Sequence, residues 1–233
     1  MSEVNPKLSG FSVSKAHEAQ RRLCKRIVQE DRLPKKIRLV SGVDVAYLDD
    51  EAIGAVAVLD YETLQIVESQ IALDPVRFPY IPTLLSFRET PPAIAAIKRL
   101  KSEPDVFLVD AHGLAHPFGC GFASHLGLAI GKPSIGVAKS RLVGEVKEIE
   151  GRTFLVHEGK VVGAVLTTKK GMKPVYVSVG NLVSLNTAVK IVKHCTRGGR
   201  ISEPLLAAHT IATSAKHEME KKRLNATENL KAI

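Results

Sequence analysis

Tryptophan is absent from the 233 residues, and aromatic residues make up only 5% of them. Cysteine is scarce too. Cys24, Cys120 and Cys195 lie far apart and are odd in number. They form no CxxC pair, no zinc pattern and no disulfide framework. Free thiols in a reducing, cytoplasmic setting fit this usage. No apolar run reaches the roughly 18 residues that a membrane span needs. The N-terminus, MSEVNPKLSG, lacks the apolar core of a signal peptide. No internal repeat or low-complexity segment occurs.

What remains is a chain of 45% hydrophobic residues, enough for one sizeable core, and the expectation is a single domain over 1–233. Lys and Arg number 33 against 24 acids, a net charge of +9. That balance favours nucleic acid or another polyanion, although a merely soluble basic protein has the same composition.

The most informative stretch is Asp105–Gly127, DVFLVDAHGLAHPFGCGFASHLG. Val106–Val109 is short, apolar and β-branched, and reads as a buried strand. It ends on Asp110. Gly113, Pro117, Gly119 and Gly121 make a loop, and a helix is expected from Ala123 to about Ile130. Open α/β sheets carry their chemistry in loops beyond strand ends. A carboxylate there can hold a divalent cation; it can equally be a helix cap.

Upstream, residues 12–32 have helical spacing at Ala16, Ala19, Leu23 and Ile27, with Ser12 as N-cap and Pro34 as terminator. From Ile37 to Tyr47 the period is two. Asp49-Asp50 is a turn, and Ala52–Tyr61 and Leu64–Leu73 follow as strands of an antiparallel meander. Asp44 sits mid-strand in SGVDVAYL, where a carboxylate costs several kcal/mol unless it is paired or metal-bound. Pro75, Pro79 and Pro82 stiffen the next segment. Tyr80 and Ile81 are held between two of them. A rigid aromatic tip can wedge between bases; the same loop could pack on its own core. Thr83–Glu89 is expected to form two helical turns that present Glu89. Thr90 would then cap a separate helix with Pro91 at its first position.

Pro133–Val137 reads as a second buried strand. Strand, helix and strand make a right-handed parallel unit, which brings Lys139 and Arg141 to the same end of the sheet as Asp110. Those cations could grip phosphate or pair with acids. Residues 152–180 alternate as a β-rich extension of three strands. A helix follows at Ser184–Lys193, then a basic loop, Arg197–Arg200. A last helix starts near Pro204 with Glu203 at its mouth. His209 lies on or beside its apolar face, the usual placement of a satisfied core histidine. The charged tail from Lys216 is expected to fray.

Three antiparallel strands followed by a parallel βαβ unit are a ribonuclease H-like arrangement: an α/β fold with a mixed central sheet flanked by helices. It sets Asp44 beside Asp110. Adjacent carboxylates repel unless a cation neutralises them. Mg²⁺ suits such a pair, and the pattern points to metal-dependent phosphodiester hydrolysis.

The sequence also resembles the endonuclease V family. The matching segments are SGVDVAY (41–47), PYIP (79–82), FRE (87–89), DAHGLAHPFGCGFASHLG (110–127), PSIGVAKSRL (133–142) and EPLLAAH (203–209). The resemblance implies Asp44 and Asp110 as direct ligands of Mg²⁺, with Mn²⁺ as an alternative. It implies Glu89 and His209 as partners of metal-bound water or of a proton. Lys139 falls near the scissile phosphate. Pro79, Tyr80, Ile81 and Pro82 form the strand-separating wedge. Gly113, Gly121 and Phe122 fall in segments that line a pocket for a flipped hypoxanthine. The implied activity is cleavage of the second phosphodiester 3′ to deoxyinosine, in double- or single-stranded DNA, by a monomer. Inosine RNA is the alternative substrate, and a non-catalytic basic nucleic-acid module the alternative class. Thr83 and Ala111 stand where the family commonly has glycine. Phe118 and Gly119 stand where basic residues are frequent.

Overall fold

The computed structural model describes residues 12–231; the polar N-terminal segment 1–11 and residues 232–233 lie outside them. Helix α1 (Val13–Cys24) begins as expected, with Ser12 Oγ accepting from the Lys15 amide. It is shorter than the spacing predicts. The Val28 amide donates to Asn181 Oδ1, the Leu182 amide to the Val28 carbonyl, and the Arg32 amide to the Leu182 carbonyl. These tertiary bonds draw residues 28–32 into an extended path and override helical propensity.

Strands β1 (Leu39–Leu48), β2 (Glu51–Asp60) and β3 (Ile66–Pro75) form the antiparallel meander. Asp49, in the two-residue turn, has φ 49°, a left-handed value that a short polar side chain tolerates. Helix α2 (Leu85–Ile97) then corrects the expectation of two separate helices: Pro91 and Pro92 lie inside one continuous helix. Pro92 is buried, and the whole apolar face packs on β2 and β3. Packing thus outweighs the two backbone bonds that proline forfeits.

β4 (Val106–Val109), α3 (Phe122–Ile130) and β5 (Ser134–Ala138) make the parallel crossover. β4 lies between β1 and β5 and runs parallel to both. The β-rich extension has four strands rather than three: β6 (Glu145–Ile149), β7 (Arg152–His157), β8 (Lys160–Leu166) and β9 (Val175–Asn181). β6 is exposed along its whole length, so it carries no alternating signal. β9 pairs antiparallel with β5, and all nine strands join one sheet in the order β3-β2-β1-β4-β5-β9-β8-β7-β6. The first five strands have the ribonuclease H-like order.

Helices α4 (Leu185–His194) and α5 (Glu203–Lys231) cover the opposite face from α2 and α3. α5 does not fray at Lys216. Arg223 pairs with Asp49 (2.6 Å) and Glu51 and so ties the helix to the β1–β2 turn.

Strand parity decides which face each residue joins. Val106 and Leu108 pack in the core under α4 and α5, and Phe107 and Val109 in the core under α2 and α3. Val40 belongs to the α5 side and Val43 to the α2 side. Asp44 and Asp110 therefore both face α5.

Candidate active site

The pairing of Val43 with Val109 puts Asp44 and Asp110 next to each other where β4 ends. The Asp110 amide donates to the Val43 carbonyl at 3.2 Å and holds that register one step further. Gly42 brings the third group in. A Cβ at Gly42 would lie 1.9 Å from the Pro204 carbonyl oxygen, so the start of α5 sits directly on β1. His209, little more than a turn along α5, then reaches Asp44.

Asp44, Asp110 and His209 each place one ligand atom within 4.8 Å of the others. His209 Nδ1 lies 2.8 Å from Asp44 Oδ2. A carboxylate can only accept, so Nδ1 carries the proton. His209 is exposed over 57% of its side chain, which corrects its reading as a core histidine. Asp44 and Asp110 are mostly buried. Lys139 Nζ donates to Asp110 Oδ2, and the Arg200 guanidinium donates to the Lys139 carbonyl.

Burial is the largest influence on Asp110 and raises its carboxyl; the Lys139 bond opposes the rise, and Asp44 adds to it. Glu89 reaches the site from α2. It lies outside the three-residue cluster, yet burial and then the charges of Asp44 and Asp110 push its carboxyl up to about 8. Arg88 offsets only part of this. The Arg88 guanidinium stands 4.3 Å above the Tyr47 ring and donates to the Phe78 carbonyl. Three carboxylates thus converge where negative charge is costly. Two hard oxygen donors and an imidazole suit a divalent cation, which would remove that cost.

Beside the cluster lies a cavity of about 420 Å³. Tyr80–Thr83 form one wall, and His112, His116, Gly121 and Phe122 another. Asp110 and Lys139 line both this cavity and the cleft over Asp44. Arg141 joins them at the cavity mouth. Burial pushes His112 and His116 down to about 4, so both are neutral at pH 7. Gly113 is not in the cavity wall. Its amide donates to Ser178 Oγ at 2.8 Å, and its carbonyl accepts from the Gly121 amide at 3.0 Å. A Cβ at Gly113 would lie 2.1 Å from the Val179 carbonyl oxygen. Its role is to close the loop against β9.

Tyr80 is 69% exposed, so the proline-framed loop does not fold its aromatic onto the core. Behind it, Ile81–Leu84 is a turn closed by the Leu84 amide on the Ile81 carbonyl, with Pro82 second and Thr83 third at φ 72°. That is the type II pattern, whose third position favours glycine. Sequence reading did not single out Thr213, Lys216 and His217, which line the cleft beside Asp44. Their signal was present: they stand four, seven and eight residues after His209, on one helical face.

A ribonuclease H-like sheet with a carboxylate pair at the β1–β4 junction, on a basic chain, defines a metal-dependent nuclease. The Endonuclease V family model matches residues 21–210, and the chain belongs to that family of DNA-acting nucleases. It is 48% identical over 215 residues to Endonuclease V of Thermofilum pendens, covering 91% of this chain and 93% of that one. The crystal structure of Endonuclease V from Streptomyces avermitilis superposes with a TM-score of 0.83 at 36% identity, covering 90% of this chain and 95% of the other. Endonuclease V from Ciona intestinalis superposes with a TM-score of 0.80 at 29% identity, covering 89% and 98%. That structure is a complex with a 24mer DNA containing an inosine followed by a ribo-adenosine.

Proposed function

We propose that this deoxyinosine repair endonuclease turns the damaged base out of the stack into the 420 Å³ cavity and cuts the second phosphodiester on its 3′ side. One observation carries the reading: Asp110 and Lys139 belong at once to the cavity, which has room for a base, and to the carboxylate cleft. A base held in the first leaves its 3′ backbone lying across the second. Flipping costs a few kcal/mol and is easiest for a weakly paired base. Tyr80 fills the gap, framed by Pro79 and Pro82, with Ile81 beside it in the loop. Phe122 and Gly121 flank the base; Gly113 supports that wall from behind.

Mg²⁺ is the cation proposed, with Mn²⁺ as an alternative. Asp44 and Asp110 would hold it directly, and Glu89 and His209 through water. When bound it supplies Lewis-acid polarisation of the phosphate and a more acidic water. Lys139 then exchanges its bond to Asp110 for the scissile phosphate and balances charge there. With a cation beside the three acids the ionised form of Glu89 would be favoured, and its carboxylate would then accept the proton of the attacking water. Oxygen adds to phosphorus, the bond to the 3′ oxygen breaks, and that oxygen takes up a proton from solvent water. The products are 3′-hydroxyl and 5′-phosphate ends. With Nδ1 donating to Asp44, His209 would present Nε2 as an acceptor for a proton of metal-bound water. The enzyme acts as a monomer in the cytoplasm, a setting that its three free thiols suit.

The test is nicking of an inosine duplex with Mg²⁺ and with EDTA, run beside inosine RNA of the same sequence. Nicking with Mg²⁺ alone, mapped to the second phosphodiester, supports the reading. No nick with Mg²⁺ refutes it, and faster cleavage of RNA reassigns the substrate.

A further inference from the structure

Helix α1 packs against the two loops that wall the cavity, and its buried side is polar. Gln20 is wholly buried. Its Nε2 donates to the Thr83 carbonyl at 2.8 Å and to the Cys120 carbonyl at 3.2 Å. Thr83 belongs to the wedge turn; Cys120 immediately precedes Gly121 and Phe122 of the facing wall. One amide therefore spans both walls. One turn earlier, His17 Nε2 is hydrogen-bonded with Thr83 Oγ1 at 2.9 Å, and its ring stacks on Phe118 at 4.0 Å. His17 thus bridges the same two loops from the outer side.

The turn needs this support. Thr83 holds φ 72°, which costs a β-branched residue strain that glycine would not feel. Such a conformation persists only where the surroundings hold it. The bonds from α1 to the Thr83 carbonyl and hydroxyl are joined by one from the His116 side chain of the facing wall to the Thr83 backbone. Gln20 and His17 precede residue 21, where the match to the family begins.

We propose that Gln20, assisted by His17, is a positioning residue that clamps the wedge turn to the Cys120–Phe122 wall and sets the width of the base cavity. The clamp offsets the strain that threonine introduces at position 83. It deepens the base-cavity reading and rests on it. The clamp touches neither the base nor the metal, so its loss acts on binding and base discrimination rather than on the cleavage step.

Steady-state cleavage of an inosine duplex and of the same duplex with adenine tests this, at fixed salt and saturating Mg²⁺. Gln20→Leu keeps the volume and removes the donors. It should raise KM for the inosine duplex about tenfold, with kcat within about threefold of wild type. Preference for inosine over adenine should fall with it. Thr83→Gly in the Gln20→Leu background should restore KM to within about threefold of wild type, because glycine holds the turn without help. His17→Phe, on a half-buried residue, keeps the Phe118 stack and loses only the Thr83 bond. It should raise KM about threefold and covers the case in which Gln20→Leu does not fold. A KM unmoved in both single variants, a Gln20→Leu loss confined to kcat, or a double variant no better than Gln20→Leu would overturn the clamp. Wild type that cuts both duplexes alike would instead remove the base-cavity reading, and the clamp's purpose with it.

Discussion

Glu89→Gln should make the metal-free protein more stable at alkaline pH while it destroys activity. Burial and the charges of Asp44 and Asp110 hold the Glu89 carboxyl at about 8, against 4.5 for a free side chain. Folding therefore favours the protonated form. Below about pH 4.5 the folded and unfolded chains both carry the proton, and Glu89 costs nothing. Between pH 4.5 and 8 the unfolded chain releases a proton that the folded chain keeps, so stability falls as pH rises. Above pH 8 the full cost applies. The displacement corresponds to an upper bound of about 5 kcal/mol, at 1.36 kcal/mol per pH unit. A half-buried carboxyl relaxes with water, so roughly 2–3 kcal/mol is the expected gain for the amide, which has the same shape and no charge. Urea unfolding in EDTA at pH 4.5, 6, 7.5 and 9 measures it. Wild type and variant should coincide at pH 4.5 and separate progressively to pH 9. Added Mg²⁺ should narrow the gap, since a cation among the acids stabilises the wild type more. Parallel stability curves across this range would show that Glu89 ionises as an ordinary surface acid, and the electrostatic account of the site would fail.

Asp110→Asn should lower the cleavage rate by 10²–10³-fold or more while binding of inosine DNA stays within about threefold of wild type, measured by single-turnover nicking and by titration; full turnover at ordinary Mg²⁺ would exclude Asp110 as an essential ligand. Lys139→Ala should cost about 10²-fold in rate without weakening metal dependence, and it should raise the pH at which the Asp110 carboxyl ionises, because the lysine bond opposes the burial effect; an unchanged rate would sink its contact with phosphate. Tyr80→Ala should cost roughly 1–3 kcal/mol of binding on an inosine duplex and far less on a single strand, whose base needs no replacement in the stack. Equal losses on the two substrates would refute the wedge.

The parts of the fold that could be read from sequence are those where one local signal dominates. β1 to β5 carry uninterrupted period-two or fully apolar runs, and each formed close to its expected bounds. α1 ended early because its partners, the Asn181 side chain and the Leu182 backbone, lie some 150 residues away, beyond the reach of any spacing rule. The Pro91-Pro92 pair misled in the opposite direction. Proline usually marks a helix start, but the apolar surface of β2 and β3 kept this helix whole. β6 has no buried face and so left no pattern to read.

The site divides along the same line. Asp44 and Asp110 were legible because a carboxylate inside or at the end of an apolar strand is costly, and the cost itself is the signal. His209 offered no such signal, since its helix has apolar residues enough to hide any histidine among them. Its place follows from a position that carries no chemistry at all. Gly42 and Asp44 stand two apart on β1 and so face the same way. The bare backbone at Gly42 lets α5 approach until Pro204 touches the strand. Asp44 is the next residue on that face, and the next turn of α5 brings His209 to 2.8 Å from it. Any side chain at position 42 would push the helix outward and separate the pair. The strand-level pattern thus placed two side chains of the cluster, and a glycine between sheet and helix placed the third. Thr83 is the converse case. A position that asks for glycine carries threonine at φ 72°, and a buried glutamine from α1 answers it. In both places the geometry of the site is fixed by a backbone requirement, met once by the absence of a side chain and once by a partner that holds one in place.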